Sequence, residues 1–209
     1  MTIGCNQIVD CILKNCDNMV QGIKDTVYFI NHEHVDKDNC TFDPENPLLL
    51  TQLVLKTVSP AAYAYCVSGY NQSNEHSVAM VKRRYQKVWD HNLIFRVFDN
   101  TPEVKAWVND VANSRFLVII ENNYNKAGLG RTVYEVLGWD MGLELNAAER
   151  NPNDEEMMGA WLLTAGCSDS LKESLPPLTL FVTSIELTRA AVGSLLAPCC
   201  PDELTPEPT

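Results

Sequence analysis

Short apolar runs separated by polar segments make up most of the chain. Val27–Ile30 is β-branched and aromatic, His91–Phe98 alternates apolar and polar side chains, and Phe116–Glu121 is almost continuously apolar. Strict alternation predicts a half-buried strand, whereas a short continuous apolar run predicts a strand that is buried on both faces. We therefore expect a β-rich core with Phe116–Glu121 as its central strand.

Further strand-like runs are joined by polar connections. They are Leu48–Val58, Ala61–Tyr70, Met80–Val88, Thr132–Leu137, Gly159–Ala165 and Leu175–Val182. Two polar stretches, His32–Pro47 and Asn146–Met158, are long enough to form extended loops. Because the strands follow one another with few helical crossovers, the order favours antiparallel pairing over a doubly wound parallel sheet.

Two segments carry helix signals. Thr101 is a candidate N-cap, Pro102 suits the first helical position, and Glu103 adds an early acidic residue. The apolar residues that follow recur at spacings of three and four, which places them on one helical face. These residues are Val104, Trp107, Val108 and Val111. A second helix is predicted at Ser184–Leu196, with its apolar residues toward the core.

Together these elements predict a mainly β fold with flanking helices. We expect an antiparallel β-sandwich or partial β-barrel with one central packed helix and one C-terminal helix. The expected organisation is an N-terminal arm at residues 1–15, a single β-rich domain at residues 16–197 and a flexible C-terminal tail at residues 198–209. The length of 209 residues fits one domain with short extensions.

Composition narrows the function classes. Hydrophobic residues make up 45% of the chain and charged residues 21%, which is enough to build a packed core and argues against global disorder. No apolar run is long enough to span a bilayer, and the first residues lack the pattern of a signal peptide. We therefore expect a protein that folds in a cytoplasm and has no membrane partner.

Charge separates two further alternatives. The formal net charge of -11 at pH 7 opposes free nucleic-acid binding, which usually needs clustered Lys and Arg. The acidity then indicates either plain solubility or a surface to which DNA must not adhere. One cationic cluster interrupts the acidic background, and this candidate basic contact patch consists of Lys82, Arg83, Arg84 and Lys87. It suits a phosphate contact, an acidic loop of a neighbouring subunit, or simple solvation.

Acidic residues are concentrated between two of the predicted strands. The candidate acidic residues are Glu149, Asp154, Glu155 and Glu156. Paired carboxylates can act as general acid and base only when burial raises the pKa of one of them. The flanking Asn, Pro and Met residues instead favour an exposed loop, so we expect these side chains to act by charge.

Candidate metal and nucleophilic chemistry is weak in this sequence. The eight cysteines include no CxxC pair and no zinc-finger spacing to histidine, so we expect reduced cysteines that pack as small apolar residues. His32 and His34, with Asp36 nearby, offer imidazole and carboxylate ligands but lie in a polar loop. The glycine-rich stretch Lys126–Thr132 lacks the phosphate-loop motif and precedes a strand. We therefore predict no enzyme activity, no metal and no cofactor.

The order and character of several segments resemble a known class of proteins. These segments are Cys16–Asn31, Trp89–Phe98, the N-capped helix after Thr101, Phe116–Asn123 and Tyr134–Leu145. In this order they resemble tail structural proteins of tailed bacteriophages, of the tail-tube or tail-ring type, in particular those of crAss-like and related phages of gut Bacteroidetes. The resemblance extends over residues 15–197 and rests on the sequence of elements, without a catalytic motif.

The resemblance implies a β-sandwich or β-barrel flanked by a helix, assembled as a homo-oligomeric ring, sixfold or twelvefold, around a DNA channel. It also implies neighbouring tail or portal-proximal virion proteins as partners, DNA that passes without specific binding, and a place in the virion tail after assembly in a host cytoplasm. Under this interpretation the acidic residues line the channel or lie between rings.

Two alternatives remain open at this point. A head-completion or tail-terminator adaptor also forms a ring, so the sequence separates it poorly from a tail-tube protein. A small cytoplasmic β-rich enzyme would use either His32, His34 and Asp36 or the pair Glu155 and Glu156. The enzyme predicts bound metal or a carboxyl with a shifted pKa in a pocket, whereas the ring proteins predict self-assembly.

Overall fold

The computed structural model describes residues 21–70, 73–124, 131–155 and 158–199. Within them the strands are β1 (Ile23–Asn31), β2 (Thr41–Phe42), β3 (Leu49–Gln52), β4 (Ala64–Ser68), β5 (Glu75–Lys82), β6 (Lys87–Val97), β7 (Phe116–Asn122), β8 (Tyr134–Leu137), β9 (Glu144–Arg150), β10 (Trp161–Gly166) and β11 (Leu178–Leu180). The helices are α1 (Pro102–Ala112) and α2 (Ile185–Ser194), and a short 3-10 turn spans His32–His34.

The strands form two open sheets. The larger sheet has seven strands in the order β2-β3-β11-β8-β7-β1-β4, and the smaller sheet has four in the order β5-β6-β10-β9. Neighbouring strands are antiparallel, except for the parallel pair β3 and β11. Among the described strands, neither sheet closes on itself. The predicted mainly β, antiparallel fold with a packed helix and a C-terminal helix is therefore confirmed, in its sandwich form.

Strand β7 is buried on both faces, as its continuous apolar sequence predicts. Phe116, Val118 and Ile120 belong to the core cluster between the two sheets. Leu117 and Ile119 belong to the cluster on the opposite face of the large sheet. This alternation explains why β7 has no polar side until its last residues, because each face of the strand meets a separate core.

The core between the sheets is built around aromatic rings. The Phe29 ring lies at the centre, with its centroid 5.1 Å from the centroids of both Phe95 and Phe116. Trp107 of α1 stands edge-on to Phe29 at 5.9 Å, so α1 packs into the same core as the strands. Tilted and edge-to-face contacts of this kind stabilise a core beyond the burial of area alone.

The second core covers the other face of the large sheet. Tyr28 and Ile30 of β1 belong to this core together with Val192 of α2 and with residues of the β1–β4 connection. In that connection Phe42 stands edge-on to Trp139 with 5.5 Å between ring centroids. The large sheet is thus covered on both faces, by the small sheet and α1 on one side and by α2 and the connection on the other.

Both helices begin at side-chain caps. The Thr101 hydroxyl accepts a hydrogen bond from the Val104 amide at 3.4 Å, and Pro102 occupies the first turn of α1. The Ser184 hydroxyl accepts from the Leu187 amide at 3.2 Å at the start of α2. Each cap satisfies an amide that has no partner within the helix, and the predicted start of α1 is confirmed.

Several predicted boundaries differ from those of the structure. The run Met80–Val88 is not one strand, because the chain turns at residues 83–86 and both sides of the turn are strands. The stretch Asn146–Met158 is not a loop throughout, since its first residues continue β9 to Arg150. The strand predicted at Leu48–Val58 is confined to Leu49–Gln52. The predicted arm at residues 1–15 and the tail beyond residue 199 lie outside the described residues.

Removing the Phe29 ring from the centre of the aromatic core should reduce stability sharply. We expect Phe29→Ala to lower the free energy of unfolding by about 3–5 kcal/mol, because it removes transfer energy and leaves a cavity. The control Tyr85→Ala removes a ring that is 86% exposed and should change stability by less than about 0.5 kcal/mol. Urea denaturation followed by circular dichroism measures both, and similar values would contradict this account of the core.

Candidate functional site

The predicted basic patch lies at the turn between β5 and β6. The backbone amide of Arg83 donates to the Gln86 carbonyl at 2.8 Å and closes the turn. The guanidinium of Arg83 donates to the carbonyls of Asp169 at 2.7 Å and Ser170 at 3.1 Å, which fastens the hairpin to the loop after β10. Of the four predicted basic residues, Arg83 therefore positions the hairpin and the other three are exposed.

An exposed aromatic residue lies within this basic turn. Tyr85 is 86% exposed, the highest value among the large hydrophobic side chains that the described part of the chain exposes. The guanidinium carbon of Arg84 lies 5.1 Å from the centre of the Tyr85 ring, a cation–π arrangement. The turn thus presents an aromatic ring and a cation together, with Lys82 and Lys87 paired across the strands behind them.

The predicted acidic residues do not share one loop. Glu149 lies on β9, where it pairs with Leu162 of β10. Asp154 and Glu155 lie in the β9–β10 connection, in which the Asp154 amide donates to the Asn151 carbonyl at 3.2 Å. Glu156 lies outside the described residues. The structure nevertheless brings the described carboxylates to one end of the small sheet.

The basic and acidic segments occupy opposite ends of this sheet. Strand β6 begins at the basic turn and ends at Val97, which pairs with Trp161 at the start of β10. Trp161 also pairs with Arg150, so the acidic β9–β10 connection lies beyond that same end. The two segments are therefore separated by the length of β6, about 30 Å at the usual rise per residue.

One member of the histidine cluster proposed from the sequence, His32, contacts the loop Gly138–Gly142. His32 lies in the 3-10 turn, and its Nε2 is 3.1 Å from the Trp139 carbonyl and 3.1 Å from Lys37 Nζ. Burial, together with the nearby Lys37 ammonium, lowers the pKa of His32. Among the described residues no group of three or more His, Cys, Asp or Glu side chains is arranged to hold a metal ion. His32 and Lys37 instead hold the loop Gly138–Gly142.

A buried carboxylate anchors the same loop, and sequence analysis missed it. Glu173 is only 1% exposed, and its two carboxylate oxygens accept hydrogen bonds from the amides of Asp140 at 2.6 Å and Met141 at 2.9 Å. Burial raises the pKa of Glu173, while these amides act in the opposite direction. The Asp140 carboxylate in turn accepts from the hydroxyl and amide of Ser174. These hydrogen bonds join the segment after β10 to the loop Gly138–Gly142, and each segment holds the other in position.

The buried residue His91 also binds the loop Gly138–Gly142. His91 is 1% exposed; its Nδ1 lies 3.2 Å from the Gly138 amide and its Nε2 lies 3.1 Å from the Leu175 carbonyl. The Gly138 amide can only donate, so the ring is neutral, with its proton on Nε2. Burial lowers the pKa of His91 to about 4, although Asp90 and Glu135 act to raise it.

His32, His91 and Glu173 together clamp the loop Gly138–Gly142. Gly138 and Gly142 both have positive φ angles, and the backbone between them is bound by side chains from three separate parts of the chain. Sequence analysis missed His91 and Glu173 because they lie far from the loop along the chain. The only available signal was the pair of glycines around Trp139-Asp140-Met141.

Comparisons with known proteins returned no matching family model, no matching curated protein and no matching solved structure. Within the described residues, neither helix has the length and apolar character needed to cross a membrane.

Lowering the pH should destabilise the fold through His91. The pKa falls from an ordinary 6.5 to about 4 in the fold, so between these values the unfolded chain binds the proton and the native chain does not. Between pH 7 and pH 5 we expect the wild-type protein to lose about 2 kcal/mol more unfolding free energy than His91→Gln. Urea denaturation at both pH values measures this difference.

The comparison isolates His91 because Glu173 acts in the opposite direction in both proteins. The raised pKa of Glu173 makes the native carboxyl bind a proton more readily than the unfolded one, which favours the fold as the pH falls. His76 faces the same region and lowers the pKa of His91 when it is charged. Equal losses in the wild type and in His91→Gln would show that His91 is not the group responsible.

Proposed function

We propose that the chain is a virion structural protein of a bacteriophage tail, which forms a ring around the DNA channel and serves genome passage and head–tail assembly. One observation carries the proposal: the small sheet has an exposed basic hairpin at one end and acidic residues at the other. Two different surfaces that complement each other favour head-to-tail contacts between copies, which build rings when they close and stacks when they repeat.

The charged ends suit a contact between stacked rings. Lys82 and Lys87 are exposed at the basic end, and Glu149 and Glu155 are exposed at the acidic end. When copies point in the same direction along the tail axis, the basic end of one ring faces the acidic end of the next. Complementary charges of this kind steer association and set its register. This position supports the inter-ring role for the acidic residues more than a channel lining.

The flanks of the small sheet suit contacts within a ring. Strand β5 is an outer strand that pairs only with β6 among the described strands, and its residue Met80 is 50% exposed. An open strand edge with exposed apolar side chains tends to associate with another chain. The opposite flank is formed by β9 and by α1, which packs against it. Contact between these flanks in adjacent copies would close a ring.

The overall charge agrees with a channel that DNA traverses. The net charge of -11 disfavours retention of phosphate on surfaces that carry no basic patch. The exposed ammonium groups of Lys82 and Lys87 would be neutralised by the acidic end of the next ring. Under this proposal DNA passes through the channel without specific binding, and the ring has sixfold or twelvefold symmetry.

Reversing the charge at one end should abolish stacking, and reversing both ends should restore it. We expect Lys82→Glu/Lys87→Glu and Glu149→Lys/Glu155→Lys each to weaken association of rings by roughly tenfold or more, because like charges then face each other. The combined variant restores opposite charges and should stack again. Sedimentation velocity and negative-stain microscopy, at about 0.05 M and about 0.5 M salt, measure stacking and its screening.

A matched control separates the ends from general charge effects. Glu33→Lys/Glu45→Lys makes the same change in net charge as the acidic-end variant at exposed positions in the β1–β3 region, and it should stack as the wild type does. Rings that form but never stack would favour the head-completion or tail-terminator adaptor, which caps a tube once. A wild-type protein that stays monomeric at every concentration, alone and with phage tail components, would contradict the proposal.

A further inference from the structure

A half-open aromatic pocket lies between α1 and the edge of the large sheet. Its volume is about 300 Å³, and the residues that line it include Phe29, Tyr65, Trp107, Asp110 and Phe116. The buried rings of Phe29 and Phe116 form the floor, and Tyr65, which is partly exposed, lies on the outermost strand of the sheet. Asp110 is an exposed carboxylate on α1. The pocket thus combines aromatic surface with one negative charge.

The exposed hairpin turn has the complementary character. The Tyr85 ring is largely exposed to solvent, and the guanidinium of Arg84 lies over it. The turn is held in a fixed orientation by the bonds from Arg83 to the loop after β10. A pre-oriented aromatic residue beside a cation loses little conformational freedom on binding, and Tyr and Arg are enriched among residues that dominate interfaces.

The two features lie on different flanks of the molecule. The hairpin extends from β5, one outer strand of the small sheet, whereas α1 packs against β9, the other outer strand. The pocket also adjoins the start of β9, because Phe116 bridges to Leu143 and Arg115 pairs with Glu144 at 2.6 Å. Each copy therefore offers its hairpin turn to one neighbour and its pocket to another.

We propose that Tyr85 of one copy inserts into the aromatic pocket of an adjacent copy, with Arg84 beside Asp110 of that copy. This inference rests on the proposed function, since it names the contact that joins copies within a ring. The Tyr85 ring packs against the rings of the pocket, and the Arg84 cation meets the only charged side chain among the pocket-lining residues. The contact is heterologous and can close around a ring.

Interface variants test the contact in the full-length protein. We expect Tyr85→Ser and Asp110→Arg each to weaken ring formation roughly tenfold or more in sedimentation velocity. The double variant Arg84→Glu/Asp110→Arg should regain most of the ring formation that either charge reversal alone removes. The controls are Tyr70→Ser, another exposed tyrosine, and Glu103→Arg, which is on α1 but does not line the pocket; both should assemble as the wild type does.

Mixing variants tests the direction of the contact. A Tyr85→Ser copy keeps an intact pocket and an Asp110→Arg copy keeps an intact hairpin, so an equimolar mixture should form heterodimers that do not extend to rings. Assembly of Tyr85→Ser into normal rings would overturn the inference and leave the proposed ring function in place.

If the wild-type protein does not assemble, a peptide experiment tests whether the hairpin binds the pocket. A backbone-cyclised peptide with the sequence of residues 79–90 is titrated into the full-length protein, and the indole resonance of Trp107 is followed by NMR. A saturable shift that Asp110→Arg weakens roughly tenfold supports the pocket as the hairpin's binding site even without rings. No shift at millimolar peptide overturns the inference.

Discussion

Burial of the seven-stranded sheet on both faces is the constraint from which the rest of the structure follows. Residues of β1 and β7 alternate between two separate cores, so each face of the sheet needs a cover. The small sheet and α1 cover one face through the rings around Phe29, and α2 with the β1–β4 connection covers the other. Because the small sheet is fixed through its inner face, its ends and its outer strands are left as contact surfaces.

Sequence patterns predicted the parts of the fold that depend on local burial. Phe116–Ile120 is apolar without interruption because it meets two cores, and the Thr101 cap and Pro102 define the start of α1 regardless of tertiary context. The β5–β6 hairpin was misjudged for a physical reason. Strand β5 is an exposed outer strand, so burial imposes little alternation on it, and its basic turn lacks the Gly or Asn residues that usually mark a turn.

The clamped loop could not be predicted, because its stability depends on residues that are distant in sequence. Glu173 satisfies two backbone amides and His91 satisfies a third, and each of these groups would be costly to bury without its partner. Burial shifts the pKa of both side chains toward their neutral forms, down for the imidazole and up for the carboxyl. A pattern of apolar positions contains no information about such pairings, whereas the two glycines at least indicated an unusual backbone.

The separation of charge along the small sheet decides what the charged ends can do. At physiological ionic strength the Debye length is about 8 Å, so two ends that are about 30 Å apart hardly attract each other within one molecule. The opposite charges can lower the free energy only when a second molecule brings them into contact. Arg83 fixes the basic hairpin to the loop after β10, so the cations keep a defined direction and do not fold back onto the acidic surface. A rigid sheet whose opposite charges lie farther apart than the screening length has two different ends. A head-to-tail assembly requires this difference, because one end of each copy must bind the opposite end of the next copy.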